Sequence, residues 1–148
     1  MGAVFFAVVK QSSPEKPETT SLLAGQATVK IPGKMTFIVE IANTPLAQTL
    51  GLSGRDQLKA DKGMLFIFPQ QRTQKFWMKD MLFPIDIVWI NGDRVIGFSE
   101  NIQPEPSKNI LNFSIYYPPE NVNKVLEINA GAVKKYNLWV GDMINLQK

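Results

Sequence analysis

Apolar and polar positions follow one another in short runs punctuated by proline, glycine and asparagine, a pattern that predicts strands rather than long helices. The first run covers residues 27–31, and after Pro32-Gly33 a second places Met35, Phe37, Val39 and Ile41 against Thr36, Ile38 and Glu40. Proline-glycine between two such runs predicts a hairpin. Thr44 and Pro45 read as an N-cap and a first helical residue, opening a short helix through Leu46 and Leu50 that stops at Gly51. Residues 63–69 are continuously apolar up to Pro69, which predicts a strand buried on both faces.

Further along, residues 76–78 predict a short strand, and Phe83-Pro84 interrupts the chain before a strand over 85–90. Asn91-Gly92 is the strongest hairpin signal and joins that strand to a partner over 94–102. A proline-bounded segment over 104–108 follows, then a short strand within 112–117, a strand over 122–129 and a short helix within 130–136. A turn and last strand occupy 139–144. No strand-helix-strand rhythm points to a parallel sheet. The expected fold class is α+β, mostly β: a curled or barrel-like antiparallel sheet with two short helices.

This pattern makes residues 26–148 one globular domain and sets residues 1–25 apart. Residues 2–9 are an apolar stub, and 11–21 are polar with Pro14 and Pro17, as a linker would be. The stub is shorter than the roughly 20 apolar residues of a bilayer span, and no basic region precedes it as in a signal peptide. It reads either as a first strand or sticky terminus packing on the domain, or as the trailing end of a membrane anchor or signal sequence, with the latter favoured. The expectation is an exported or membrane-anchored protein with its domain outside the cytoplasm; a cytoplasmic protein is the alternative.

Composition then removes whole classes of chemistry. With no Cys and no His, there are no disulfides, thiol nucleophiles, imidazole bases, catalytic triads or Cys-based zinc sites. A metal site would have to be built from oxygen ligands. None is proposed, and no cofactor is implied. The net charge of +3 comes from 16 Lys and Arg that are scattered, with Lys134-Lys135 the one adjacent pair, and this argues against a nucleic-acid partner.

Several separated blocks occur in a recognisable order: Gly51-Leu52, Arg55, Gly63-Met64-Leu65-Phe66, Phe76-Trp77-Met78-Lys79, Pro84-Ile85-Asp86, Val125-Leu126-Glu127, Ala130-Gly131 and Gly141-Asp142. The chain resembles the DUF192 family, a domain of unknown function, over roughly residues 35–146. Ser53 departs from the methionine common after the Gly-Leu pair, and Asp80-Met81 from the Asn-Thr common after the Trp-Met-Lys block. The resemblance implies a small β-rich domain, in many members behind a signal peptide or membrane anchor, and no established activity.

Candidate chemistry lies in the polar residues that interrupt apolar blocks. Asp86 sits among Ile85, Ile87, Val88 and Ile90 and wants a partner, for which Arg55 and Lys79 are the natural candidates. A structural ion pair or turn cap is the commoner use of such a carboxylate. Glu127, inside Val125-Leu126-Glu127-Ile128, would make with Asp86 a paired-carboxylate site of the glycosidase kind if the two share a face within about 5 to 10 Å. Trp77, with Met64, Met78 and Met81, would line an apolar groove or belong to the core, while Trp89 and Trp139 read as core. Asp142 reads as a turn residue bonded to backbone amides.

Three functions are compatible with these residues, in descending order. The first is a domain binding a small molecule, glycan or protein at the envelope through Arg55, Trp77, Lys79, Asp86 and Glu127, with Arg55, Trp77, Lys79 and Asp86 converging on one concave surface. The second is a hydrolase using Asp86 and Glu127. The third is a structural accessory domain without a pocket. Membrane contact would come through the N-terminus, and nothing in the residues fixes the oligomeric state.

Overall fold

A computed structural model describes residues 25–106 and 109–148. The apolar stub and most of the linker expected at the N-terminus lie outside the described residues, as do Ser107 and Lys108. The strands β1 (Gln26–Ile31) and β2 (Met35–Ala42) form the expected hairpin. Pro32 and Gly33 occupy its turn, closed by Lys34 N–H donating to the Ile31 carbonyl at 3.0 Å with Gly33 at φ 73°. Helix α1 (Pro45–Leu50) starts as predicted, with Thr44 Oγ1 accepting from Ala47 N–H at 3.2 Å. It ends at Gly51, whose φ of 50° favours glycine.

The chain continues through β3 (Lys62–Arg72), β4 (Ile85–Asn91), β5 (Arg94–Ile102), β6 (Val122–Asn129), helix α2 (Ala132–Lys135) and β7 (Asn145–Gln147). One seven-stranded sheet results, in the order β5-β4-β6-β3-β2-β1-β7. It is mixed rather than antiparallel throughout, because β2 and β3 run parallel and α1 with its following coil makes the crossover. A parallel neighbour needs such a crossover, which this chain builds mostly from coil, without helical periodicity. The sheet is not closed into a barrel. The C-terminal segment nonetheless touches both of its ends: Ile144 N–H donates to the Asp93 carbonyl beside β5, while β7 pairs with β1.

Other expectations shift. Residues 76–78 and 112–117 are not strands; they contribute a single bridge between Phe76 and Tyr116, and a 3-10 turn spans Ile110–Asn112. Their apolar side chains cover the sheet instead of extending it. The last strand lies beyond 139–144, which is a turn held by Asp142, whose Oδ2 accepts from Trp139 N–H at 2.7 Å as expected and also pairs with Lys34. Trp139 is exposed rather than core, while Trp89 is fully buried.

Both faces of the sheet are covered, which is why Met64, Leu65 and Phe66 in β3 are all buried. One face packs Leu65, Val88, Leu126 and Ile128 against Val133 of α2 and Leu138. The other packs Met64, Phe66, Ile87 and Trp89 under Ala47 of α1, Leu52, Met78 and Met81.

Candidate functional site

Strand register decides the fate of the two carboxylates. Asp86 in β4 stands opposite Ile128 in β6, and Ile87 stands opposite Glu127. Register partners share a face and successive residues alternate, so Asp86 and Glu127 project from opposite faces of the sheet. The paired-carboxylate site is therefore excluded, and with it the hydrolase built on it. Asp86 is fully buried, and neither Arg55 nor Lys79 is its partner. Its Oδ1 accepts from Asn101 N–H at 2.8 Å and its Oδ2 from Val133 N–H at 2.9 Å.

Both bonds have local causes. Asn101 lies at φ 51° where the β4–β5 register slips by a residue, so its amide turns out of the ladder. The N-cap of α2 is Gly131, which has no side chain to cap the helix. Asp86 supplies the missing acceptor from a neighbouring strand and serves as a structural clamp.

Glu127 lies on the other face, in a row that runs across the sheet from Glu40 through Met64 to Glu127 and Ile87. It is 5% exposed. Its Oε2 is buried and has no hydrogen-bond partner in the protein, the one such side-chain atom among the described residues. Burial pushes its carboxyl up to about 8, against a smaller opposing pull from the Arg55 guanidinium. Arg55 itself is held bidentately by Glu40 at 2.5 and 2.8 Å.

Above this row opens a cavity of about 420 Å³, to whose lining Glu127 contributes. Helix α1 supplies Gln48 and Thr49, the turn after it Ser53, β3 Phe66 and Phe68, and the coil after β3 Lys75, Phe76 and Trp77. The Gly51-Leu52 block forms one wall. A Cβ at Gly51 would meet Phe66 Cζ at 3.3 Å, so glycine serves both the φ and the close approach. Gly63 has a similar reason: a Cβ there would lie 2.8 Å from the Glu127 carbonyl oxygen. The rings of Phe66 and Phe76 meet edge to face at 5.0 Å, and Trp77, 40% exposed, leans on Phe113 at 6.0 Å.

Of the residues singled out from the sequence, the structure thus brings Trp77 and Glu127 into one cavity lining, with Arg55 acting on Glu127. Lys79 instead pairs with Asp80 at the surface, and Asp86 belongs to the opposite face. The four-residue cluster expected around Asp86 does not form. Met64 and Met78 are core, and Met81 lies between core and cavity wall. Glu40, Gln48 and Ser53 are not among the site residues expected from the sequence. Glu40 carried a signal, as a charge on the second face of an otherwise apolar strand.

The model of the DUF192 family, described as an uncharacterized ACR, matches residues 27–146. A structure of a candidate transcription regulator from Sinorhizobium meliloti 1021 is 31% identical with a TM-score of 0.71, over 82% of this chain and 92% of that one. A protein of unknown function from Novosphingobium aromaticivorans DSM 12444 is 25% identical with a TM-score of 0.75, over 97% and 99%. No curated protein matches the chain.

Proposed function

The chain belongs to the DUF192 family, whose description names no activity, and we propose that it is a small-molecule-binding domain with its site in the cavity lined by Glu127. The observation that carries this reading is Glu127 Oε2, buried without a partner in the protein at a cavity wall. A buried polar atom left unpaired costs about 1 to 3 kcal/mol, and a ligand that pairs with it recovers that cost. The cavity volume falls in the range used for small organic ligands, and its mixture of rings with a few fixed polar groups suits one. Display at the envelope is a separate proposal, supported by the apolar residues 2–9 ahead of the domain.

A fragment screen followed by amide chemical-shift mapping tests the binding reading. Hits should shift the Trp77 indole and the amides of Gln48 and Glu127, and Thr49→Trp, which narrows the cavity from the exposed side of α1, should abolish those shifts. Hits that map elsewhere and ignore Thr49→Trp would overturn it.

A further inference from the structure

Two walls of the cavity, and a third segment packed on them, carry large apolar side chains out to solvent. On α1, Leu46 and Leu50 stand four residues apart on one side of the helix and are exposed, while Ala47 between them packs into the core. In the coil after β3, Trp77 lines the cavity, and Leu82, next to the lining residue Met81, is exposed. The third segment is held against that coil. Tyr116 exchanges backbone hydrogen bonds with Phe76 at 2.8 and 3.0 Å, and the Phe113 ring meets that of Trp77. Alternation about Tyr116 turns Ile115 and Tyr117 to one side, both exposed, and the 3-10 turn before Phe113 exposes Ile110 and Leu111, the latter by 87%. The other large apolar side chains exposed among the described residues are Trp139, Val140 and Met143, in the turn before β7.

Single exposed apolar residues are ordinary, whereas such a concentration marks an interaction surface. Its chemistry is that of a bilayer interface. Residues 45–50 and 109–117 contain no charged residue, so contact with lipid desolvates no ion there. Trp77 and Tyr117 join a ring body to a polar tip, as side chains at headgroup level do, and the long Lys75 side chain can keep its ammonium in water. The path of the chain agrees. The Gly25 carbonyl accepts from Ile41 N–H at 3.2 Å, at the end of β2 and four residues before the lining residue Pro45, so the chain enters the domain beside this face. Residues 10–24, which connect the apolar residues 2–9 to that point, span at most about 50 Å. We propose, resting on the envelope-display reading and going beyond the small-molecule one, that the face formed by α1, the coil over 76–82 and residues 110–117 docks on a lipid bilayer. Trp77 and Tyr117 then sit at headgroup level, and the cavity opens toward the membrane.

Tryptophan fluorescence of the full chain, on vesicles of phosphatidylcholine and phosphatidylglycerol with brominated acyl chains, tests this, because bromine quenches only an indole that reaches the lipid. Trp89 is buried, and Trp77 and Trp139 mark the two exposed patches. The expected result is quenching in the native protein that is lost in Trp77→Phe and retained in Trp139→Phe. Leu111→Glu and Leu82→Glu, at exposed positions that the fold tolerates, should weaken cosedimentation with the vesicles about tenfold, while Val140→Glu leaves it unchanged. Quenching that follows Trp139 would overturn the proposal. Vesicle binding without quenching of Trp77 would also overturn it and leave the envelope reading standing, with residues 2–9 as the contact; no vesicle binding at all would sink both. A native dimer that Leu111→Glu dissociates would assign the face to a second copy and overturn the proposal too. None of these outcomes touches the small-molecule reading, which the fragment screen decides.

Discussion

Glu127→Gln should abolish a pH dependence of stability that the native protein carries. The carboxyl is raised from 4.5 to about 8 by burial, so between those values the folded protein holds a proton that the unfolded chain has released. Folding takes up a proton in that window. Stability from this group is therefore fully present below about pH 4.5, declines as pH rises, and levels off above about 8. Each pH unit is worth about 1.4 kcal/mol, so the whole decline is on the order of 5 kcal/mol, a large share of a domain's typical 5 to 15. Glutamine fills the same shape and cannot ionise. The variant should match the native protein near pH 4.5 to within about 1 kcal/mol and exceed it near pH 9 by several. Urea unfolding followed by the fluorescence of buried Trp89, from pH 4.5 to 9.5, measures this, and the difference between the two proteins cancels the remaining titrating groups. Stability curves that run parallel across that range would refute the reasoning.

Other substitutions probe the neighbouring contacts. Arg55→Met removes the positive charge that pulls the Glu127 carboxyl down, so its midpoint should move further up in a carboxyl-carbon NMR titration. Asp86→Asn puts an amide N–H₂ against one of two backbone N–H donors, and urea unfolding at pH 7 should show a loss of about 2 to 4 kcal/mol. A change under about 0.5 kcal/mol would remove Asp86 from its clamping role. Gly63→Ala forces a methyl to within 2.8 Å of the Glu127 carbonyl oxygen, and should cost about 2 kcal/mol or more in the same assay.

What could be read in the residues was what local chemistry dictates. Thr44-Pro45 capped the helix, Pro32-Gly33 and Asn91-Gly92 made their turns, and the apolar run after Gly63 marked the doubly buried strand. Relations between strands were not readable. Alternation tells which residues of one strand share a face, but the pairing of Asp86 with Ile128 rather than Glu127 is a matter of register, and one residue of slip would have joined the two carboxylates. The parallel β2–β3 pair escaped for a related reason, since its crossover is mostly coil. Phe76 misled because apolar character there serves packing on Phe66, Phe68 and Trp89 rather than strand pairing. Of the candidate site, Glu127 and Trp77 were legible as a charge and a ring out of place; Gln48 and Ser53 were not, because their role depends on which backbone carbonyls take their hydrogens.

The most direct measurement is the titration of the Glu127 carboxyl carbon by NMR. The account predicts that the protein holds this proton up to a midpoint near 8. A free-protein midpoint near 4.5, as for a solvated carboxyl, would contradict it.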